Sequence, residues 1–97
     1  MFEVEITRQA LGDLHYLTKR ARRIVVARLE EHLTHEPARE TRNRKRLRPN
    51  QLAEWELRID RFRVFFDVDS VARVVRVMAV GRKEGNRLFI RDEEYQL

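Results

Sequence analysis

The chain has no cysteine, so it can build neither a disulfide framework nor a thiolate metal site. No apolar run approaches the roughly 20 residues that cross a bilayer, and no membrane role is expected. The N-terminus enters a strand-like pattern, MFEVEI, where a secretory leader would place a basic stretch and then an apolar one. A cytoplasmic setting is the default that follows. Glycine is scarce, with three in 97 residues, and no phosphate-cradling loop or serine elbow is present. Conventional nucleotide-binding and hydrolase readings therefore gain no support. His32 and His35 stand three residues apart at the end of an apparent helix, but no third ligand accompanies them. A histidine there more often favours the helix dipole, and no metal or cofactor is expected.

Positive charge is what the chain has in quantity. Lysine and arginine total 21 against 16 acids, a net charge of +5. Arg39, Arg42, Arg44, Lys45, Arg46 and Arg48 crowd into ten residues with the single acid Glu40. That segment accounts for the whole excess, since the remaining charges cancel. A concentrated basic patch is the electrostatic footprint of a polyanion binder, and nucleic acid is the commonest such partner. A solvated loop that aids only solubility is the plainer alternative.

The rest of the chain is organised around residues 53–81, which read as three consecutive strands. Trp55, Leu57 and Ile59 alternate with Glu54, Glu56, Arg58 and Asp60. Phe62, Val64, Phe66 and Val68 alternate in the same way. Val74 to Val80 is apolar on both faces except at Arg76, as in a central strand covered on two sides, and Gly81 closes the run. The polar breaks at Asp60-Arg61 and Asp67 to Ser70 are short, which makes the neighbours antiparallel. Before this unit, Phe2 to Ile6 reads as a strand, and Thr7 sits where it would cap a helix carrying Ala10, Leu11, Leu14 and Leu17. Gly12 in that helix marks close packing or a weak spot. A second helix runs from about Ala21 to Leu33 and ends by Pro37. Asp13 and the cluster from Lys19 to Arg23 suggest a charged turn between the two. A basic loop then leads to a turn at Pro49-Asn50. Past Gly81 comes a polar loop, with Gly85-Asn86 suited to positive φ, and then an ambiguous tail whose acids at 92–94 are too polar to bury. The expected fold is α+β, one domain in the order βααβββ, an antiparallel sheet packed against an N-terminal helical hairpin.

On the sheet stands a field of cations: Arg58, Arg61 and Arg63, then Arg76, then Arg82, Lys83 and Arg87. With Glu54, Glu56 and Asp67 nearby, guanidinium groups brought to one face can clamp a phosphodiester and stabilise the charge that develops during its cleavage. RNA would supply its own nucleophile, the 2′-OH, and Glu56 could act as base. Cross-strand Arg–Glu pairs on a wet sheet face are the ordinary alternative.

At this point KRLRP (45–49), WELRIDRFRVFFDVD (55–69) and VVRVMAVGRKEGNRLF (74–89) resemble, in order, the RelE/ParE superfamily of small toxins from type II toxin–antitoxin systems. The resemblance implies a microbial-ribonuclease-like βααβββ fold and an antitoxin partner. RelE-like members cleave mRNA on the ribosome; ParE-like members poison DNA gyrase. The family's strand arginines fall on Arg63 and Arg58, and its basic position after the glycine falls on Arg82 or Lys83. Two lysines of RelE-like enzymes fall on Glu54 and Glu56, and the late tyrosine falls on Phe89, which can stack but cannot transfer a proton. The resemblance thus assigns Arg63 and Lys83 to phosphate stabilisation, with Arg58 beside them, Glu56 as base and Phe89 to stacking. Arg39, Arg42, Arg44, Lys45, Arg46, Arg48 and Arg82 would meet mRNA or ribosomal RNA. A ribosome-dependent mRNA interferase leads, and a gyrase inhibitor or a degenerate toxin that serves mainly as antitoxin partner are the alternatives.

Overall fold

The computed structural model describes all 97 residues. The expected strand, helical hairpin and three-stranded meander are all present, as β1 (Glu3–Ile6), α1 (Arg8–Tyr16), α2 (Lys19–Leu33), β3 (Trp55–Ile59), β4 (Phe62–Asp69) and β5 (Val74–Glu84). Three short strands enlarge the sheet: β2 (Arg44–Arg46), β6 (Arg87–Ile90) and β7 (Glu93–Tyr95). The strand order is β2-β3-β4-β5-β6-β7, antiparallel throughout, and β1 joins β5 in parallel. The basic segment is therefore not all loop. Lys45 pairs with Glu56 and Arg46 with Trp55 across the β2–β3 ladder. Three successive cations have no apolar alternation to announce a strand; at the sheet edge Lys45 and Arg46 reach water on opposite faces, whereas Arg44 is buried.

Both helices begin at threonine caps. Thr7 Oγ1 accepts from the Ala10 N–H and Thr18 Oγ1 from the Ala21 N–H, each at 3.2 Å, a contact typically worth about 1 kcal/mol. Thr18 explains why α2 starts two residues ahead of its apolar stripe. The Thr7 hydroxyl also donates to the Val77 carbonyl at 2.8 Å, so the cap ties α1 to β5. Helix α1 lies over β5 and α2 over β3. Ala10, Leu14, Val25, Leu29 and Leu33 meet Trp55, Leu57, Phe66 and Val77 in the main core. Each large apolar side chain buried there contributes about 1.5–3 kcal/mol. Leu11 departs from the expected stripe and is half exposed. Helix α2 stops at Leu33, before Pro37, and Glu36 then takes a positive φ of 47°.

The apolar run in β5 has a different origin from two-sided burial alone. Phe65 pairs with Ala79 and Phe66 with Val77, which leaves Met78 as an extra residue in a β-bulge. The bulge sends both Val77 and Val80 to the helical core and turns Ala79 to the opposite face. Strand β5 also does not stop at Gly81; it continues to Glu84, and Gly85 makes the turn into β6 with φ 65°. A Cβ at Gly81 would lie 2.5 Å from the Phe89 carbonyl oxygen, a backbone atom that cannot swing aside. Gly81→Ala should therefore cost about 1–3 kcal/mol as β6 is pushed outward. A urea midpoint equal to that of the parent would show that the β5–β6 pair can open without cost.

Two strands share one edge of β5. β1 pairs with residues 74–77 and β6 with residues 82–84. Between them the Val80 N–H has no strand partner, and Asp13 supplies one: its Oδ2 accepts at 3.0 Å. Its Oδ1 accepts from Arg91 Nε at 2.8 Å, and the Arg91 guanidinium crosses directly over Gly12. The Asp13 side chain is fully buried. It is thus not part of a charged interhelical turn, and Gly12 is a site of close packing.

Candidate nucleic-acid interface

Residues opposite one another in a ladder point to the same face. On the face away from the helices this aligns Lys45 with Glu56 and Phe65, Arg58 with Arg63 and Gly81, and Lys83 with Leu88 and Tyr95. Beneath them Phe65, Ala79, Leu88 and Ile90 form a second, smaller apolar cluster, edged by Leu47, Leu52, Ala53 and Tyr95. Above this floor is an open groove of about 970 Å³. Its walls carry Lys45, Arg46, Arg48, Arg58, Arg63, Lys83 and Arg87 against only Glu56 and Glu94. Such an excess of one sign over a low-dielectric floor focuses an attractive potential on an anion.

The groove cations are not equivalent. Arg63 Nη1 donates to the carbonyls of Asp60 and Phe62, both at 2.9 Å, so the turn between β3 and β4 fixes its guanidinium. Its Nε is buried without a partner. Burial lowers its pKa from arginine's usual value, Glu56 opposes that shift and Arg58 adds to it. Arginine so far above neutrality stays charged regardless. Glu56 has a side chain only 9% exposed, with Arg58 Nε at 3.6 Å from its carboxylate. Lys45, Arg48 and Lys83 have no ion-pair partner within the chain, which leaves their ammonium and guanidinium donors for a ligand. On the outer wall Arg87 is held by Glu94 at 2.9 Å. That hydrogen bond raises the Arg87 pKa and lowers that of Glu94.

The four residues assigned to chemistry, Glu56, Arg58, Arg63 and Lys83, all line this groove, as do Lys45, Arg46 and Arg48 of the basic segment. Others do not. Arg39 is exposed and paired with Glu36 at 3.1 Å, and Arg42 is exposed away from the groove. Arg44 is buried, and its Nη1 donates to the His32 carbonyl at 2.7 Å, fastening β2 to the C-terminal end of α2. Burial, and then Arg39, lower its pKa. Its position suits a structural clamp and not RNA contact. Arg76, on the same face but farther along β5, pairs with Glu5 at 3.3 Å.

Arg82 and Phe89 are ladder partners on the helical face, one residue out of phase with Lys83 and Leu88. Arg82 donates to Glu84 and to the Arg91 carbonyl, both at 2.8 Å. The Phe89 ring has the guanidinium groups of Arg82 and Arg87 each 5.2 Å from its centre. Phe89 is therefore not a stacking platform in the groove; the aromatic ring there is Tyr95. Reading the tail as a hairpin, with Leu88, Ile90 and Tyr95 on one face, would have found it. The acids at 92–94 hid that pattern.

The chain is thus a small α+β domain with a cationic groove on the helix-free side of its sheet. The family model described as the ParE toxin of type II toxin–antitoxin systems matches residues 4–87, and the chain belongs to that family. A chain of the RelBE2 toxin–antitoxin complex from Mycobacterium tuberculosis is similar in structure, with a TM-score of 0.73 and 27% identity. The match covers 84% of this chain and 98% of that one. Among curated proteins no sequence matches.

Proposed function

We propose that this toxin cleaves the RNA backbone in its groove and thereby stops translation, working as a ribosome-dependent mRNA interferase until an antitoxin covers the groove. The observation that carries the reading is the convergence of Glu56, Arg58, Arg63 and Lys83 on one cationic groove, with Lys45, Arg46 and Arg48 on the adjoining wall. In the reaction the 2′-oxygen attacks phosphorus, a 2′-O–P bond forms and the P–O5′ bond breaks. Glu56 takes the 2′-OH proton, and solvent protonates the departing 5′-oxygen. The phosphorane gains negative charge as it forms, and Arg63 and Lys83 face that charge. Tyr95 offers a ring on which a base can stack. An antitoxin partner fits the same surface: an acidic amphipathic segment that folds on binding would neutralise it.

The decisive experiment is tightly controlled expression of this chain alone with mapping of 5′ ends on a translated reporter mRNA. New ends in codon register that vanish when translation is blocked support the interferase. Growth arrest with intact mRNA supports DNA gyrase as the target, the reading favoured by the match to the ParE model and by glutamates at 54 and 56. A folded chain that causes no arrest is a degenerate toxin.

A further inference from the structure

The groove's basic wall is formed by β2 and the loop that follows it, and one uncharged side chain organises that loop. Asn50 Nδ2 donates to the carbonyls of Arg48 at 2.7 Å and Ala53 at 2.9 Å. Its Oδ1 accepts from the N–H groups of Leu52 at 2.7 Å and Ala53 at 3.1 Å. Two donors and two acceptor positions are all that a carboxamide has, and one loop satisfies them all. No other side chain reproduces this: aspartate would set a carboxylate against two carbonyls, and glutamine would carry the amide one methylene too far. On either side, Leu47 and Leu52 pack against the apolar cluster below the groove. Arg48 lies between one of those anchors and Asn50, with no ion-pair partner of its own.

We infer that Asn50 is the positioning residue of the basic wall: it presets the loop so that Arg48 and its neighbours meet an RNA phosphate backbone without ordering on contact. The inference rests on the RNA reading of the groove. Preorganisation matters here because a cation on a mobile loop loses chain entropy when it docks, and affinity falls accordingly. Asn50 itself bears no charge, which separates its role from that of the phosphate ligands.

The test compares the full-length protein with Asn50→Ala, Arg48→Ala and, as a neighbour control, Gln51→Ala. Binding of a labelled decauridylate is measured over a salt series, alongside hydrogen exchange at the Leu52 and Ala53 amides. Removing one cation that neutralises a phosphate of a single strand lowers the slope of log K against log salt by about 0.7. Arg48→Ala should show that reduction with amide protection intact. Asn50→Ala should lose protection at both amides and bind about tenfold more weakly across the salt series while keeping the parent's slope, because no cation was removed and the cost is one of ordering. Gln51→Ala should match the parent. Protected amides in Asn50→Ala, or lost protection with the parent's affinity, would overturn the inference alone. A parent protein that shows no salt-dependent binding of the oligonucleotide would overturn the inference, whereas the interferase reading stands or falls on the 5′-end mapping of translated mRNA.

Discussion

For the proposed cleavage reaction, replacing Arg63 with alanine is expected to lower the rate by about 10²–10³-fold, the usual consequence of removing one preorganised donor from a charge that develops in a transition state. The size follows from how the guanidinium is held. Two carbonyls of the β3–β4 turn bind its Nη1 and fix the plane of the group before any substrate arrives. No reorganisation then has to accompany the reaction. Arg63→Lys keeps the charge but gathers its donors on one nitrogen, and an ammonium held by both carbonyls has a single N–H left where the guanidinium offers a planar fork, so it should recover binding far better than turnover. Loss confined to kcat identifies an interaction made in the transition state, whereas loss confined to KM identifies one made equally to bound substrate. Because the side chain also braces a turn, urea midpoints for both variants must accompany the kinetics. A folded Arg63→Ala protein that is as toxic as its parent would remove Arg63 from the mechanism.

The placement of Arg63 is legible in the sequence, and the reason is periodicity. β3 and β4 alternate cleanly, so the parity that sends Leu57 and Val64 inward sends Arg58 and Arg63 out to one face. Glu56 follows by the same count. Parity fails where the ladder is irregular or the strand is too short to show a period. Met78 interrupts β5, so the facing of residues beyond it cannot be counted from Val75. By sequence Arg82 and Lys83 are interchangeable candidates for one role, and only the pairing of Lys83 with Leu88 and Tyr95 separates them. Phe89 and Tyr95 are exchanged for the same reason. β2 is three charged residues with no pattern at all, and Arg44 looks like its neighbours until the end of α2 is set against it. Long-range contacts of single polar side chains leave no local trace. Asn50 is legible as a turn residue, but the four bonds it makes are not.

Asp13 is the strongest case of such a contact, and its removal should have the largest effect on stability. Asp13→Ala is expected to cost about 2–4 kcal/mol, more than a neutral hydrogen bond and somewhat less than a fully buried ion pair, because its partners differ in exposure. The Val80 N–H lies at a strand edge that no other strand reaches, so losing Oδ2 leaves a buried donor unsatisfied. Arg91 is 45% exposed and can turn its charge to water, which reduces its share of the loss. Three variants separate these contributions. Asp13→Asn keeps an acceptor for Val80 and gives up the charge, so it should cost about half as much as the alanine variant. Arg91→Ala leaves the Val80 bond intact but takes the cation from a buried carboxylate, so it should cost about 1–2 kcal/mol, still less than the alanine variant at Asp13. Gly12→Ala puts a methyl group where the guanidinium crosses and should resemble Arg91→Ala, because a flexible side chain can move aside. Trp55, the single tryptophan, sits in the main core and reports each unfolding midpoint by fluorescence. If Arg91→Ala proved as costly as Asp13→Ala, the ion pair and not the bridged gap in the β5 edge would be what Asp13 is there to make.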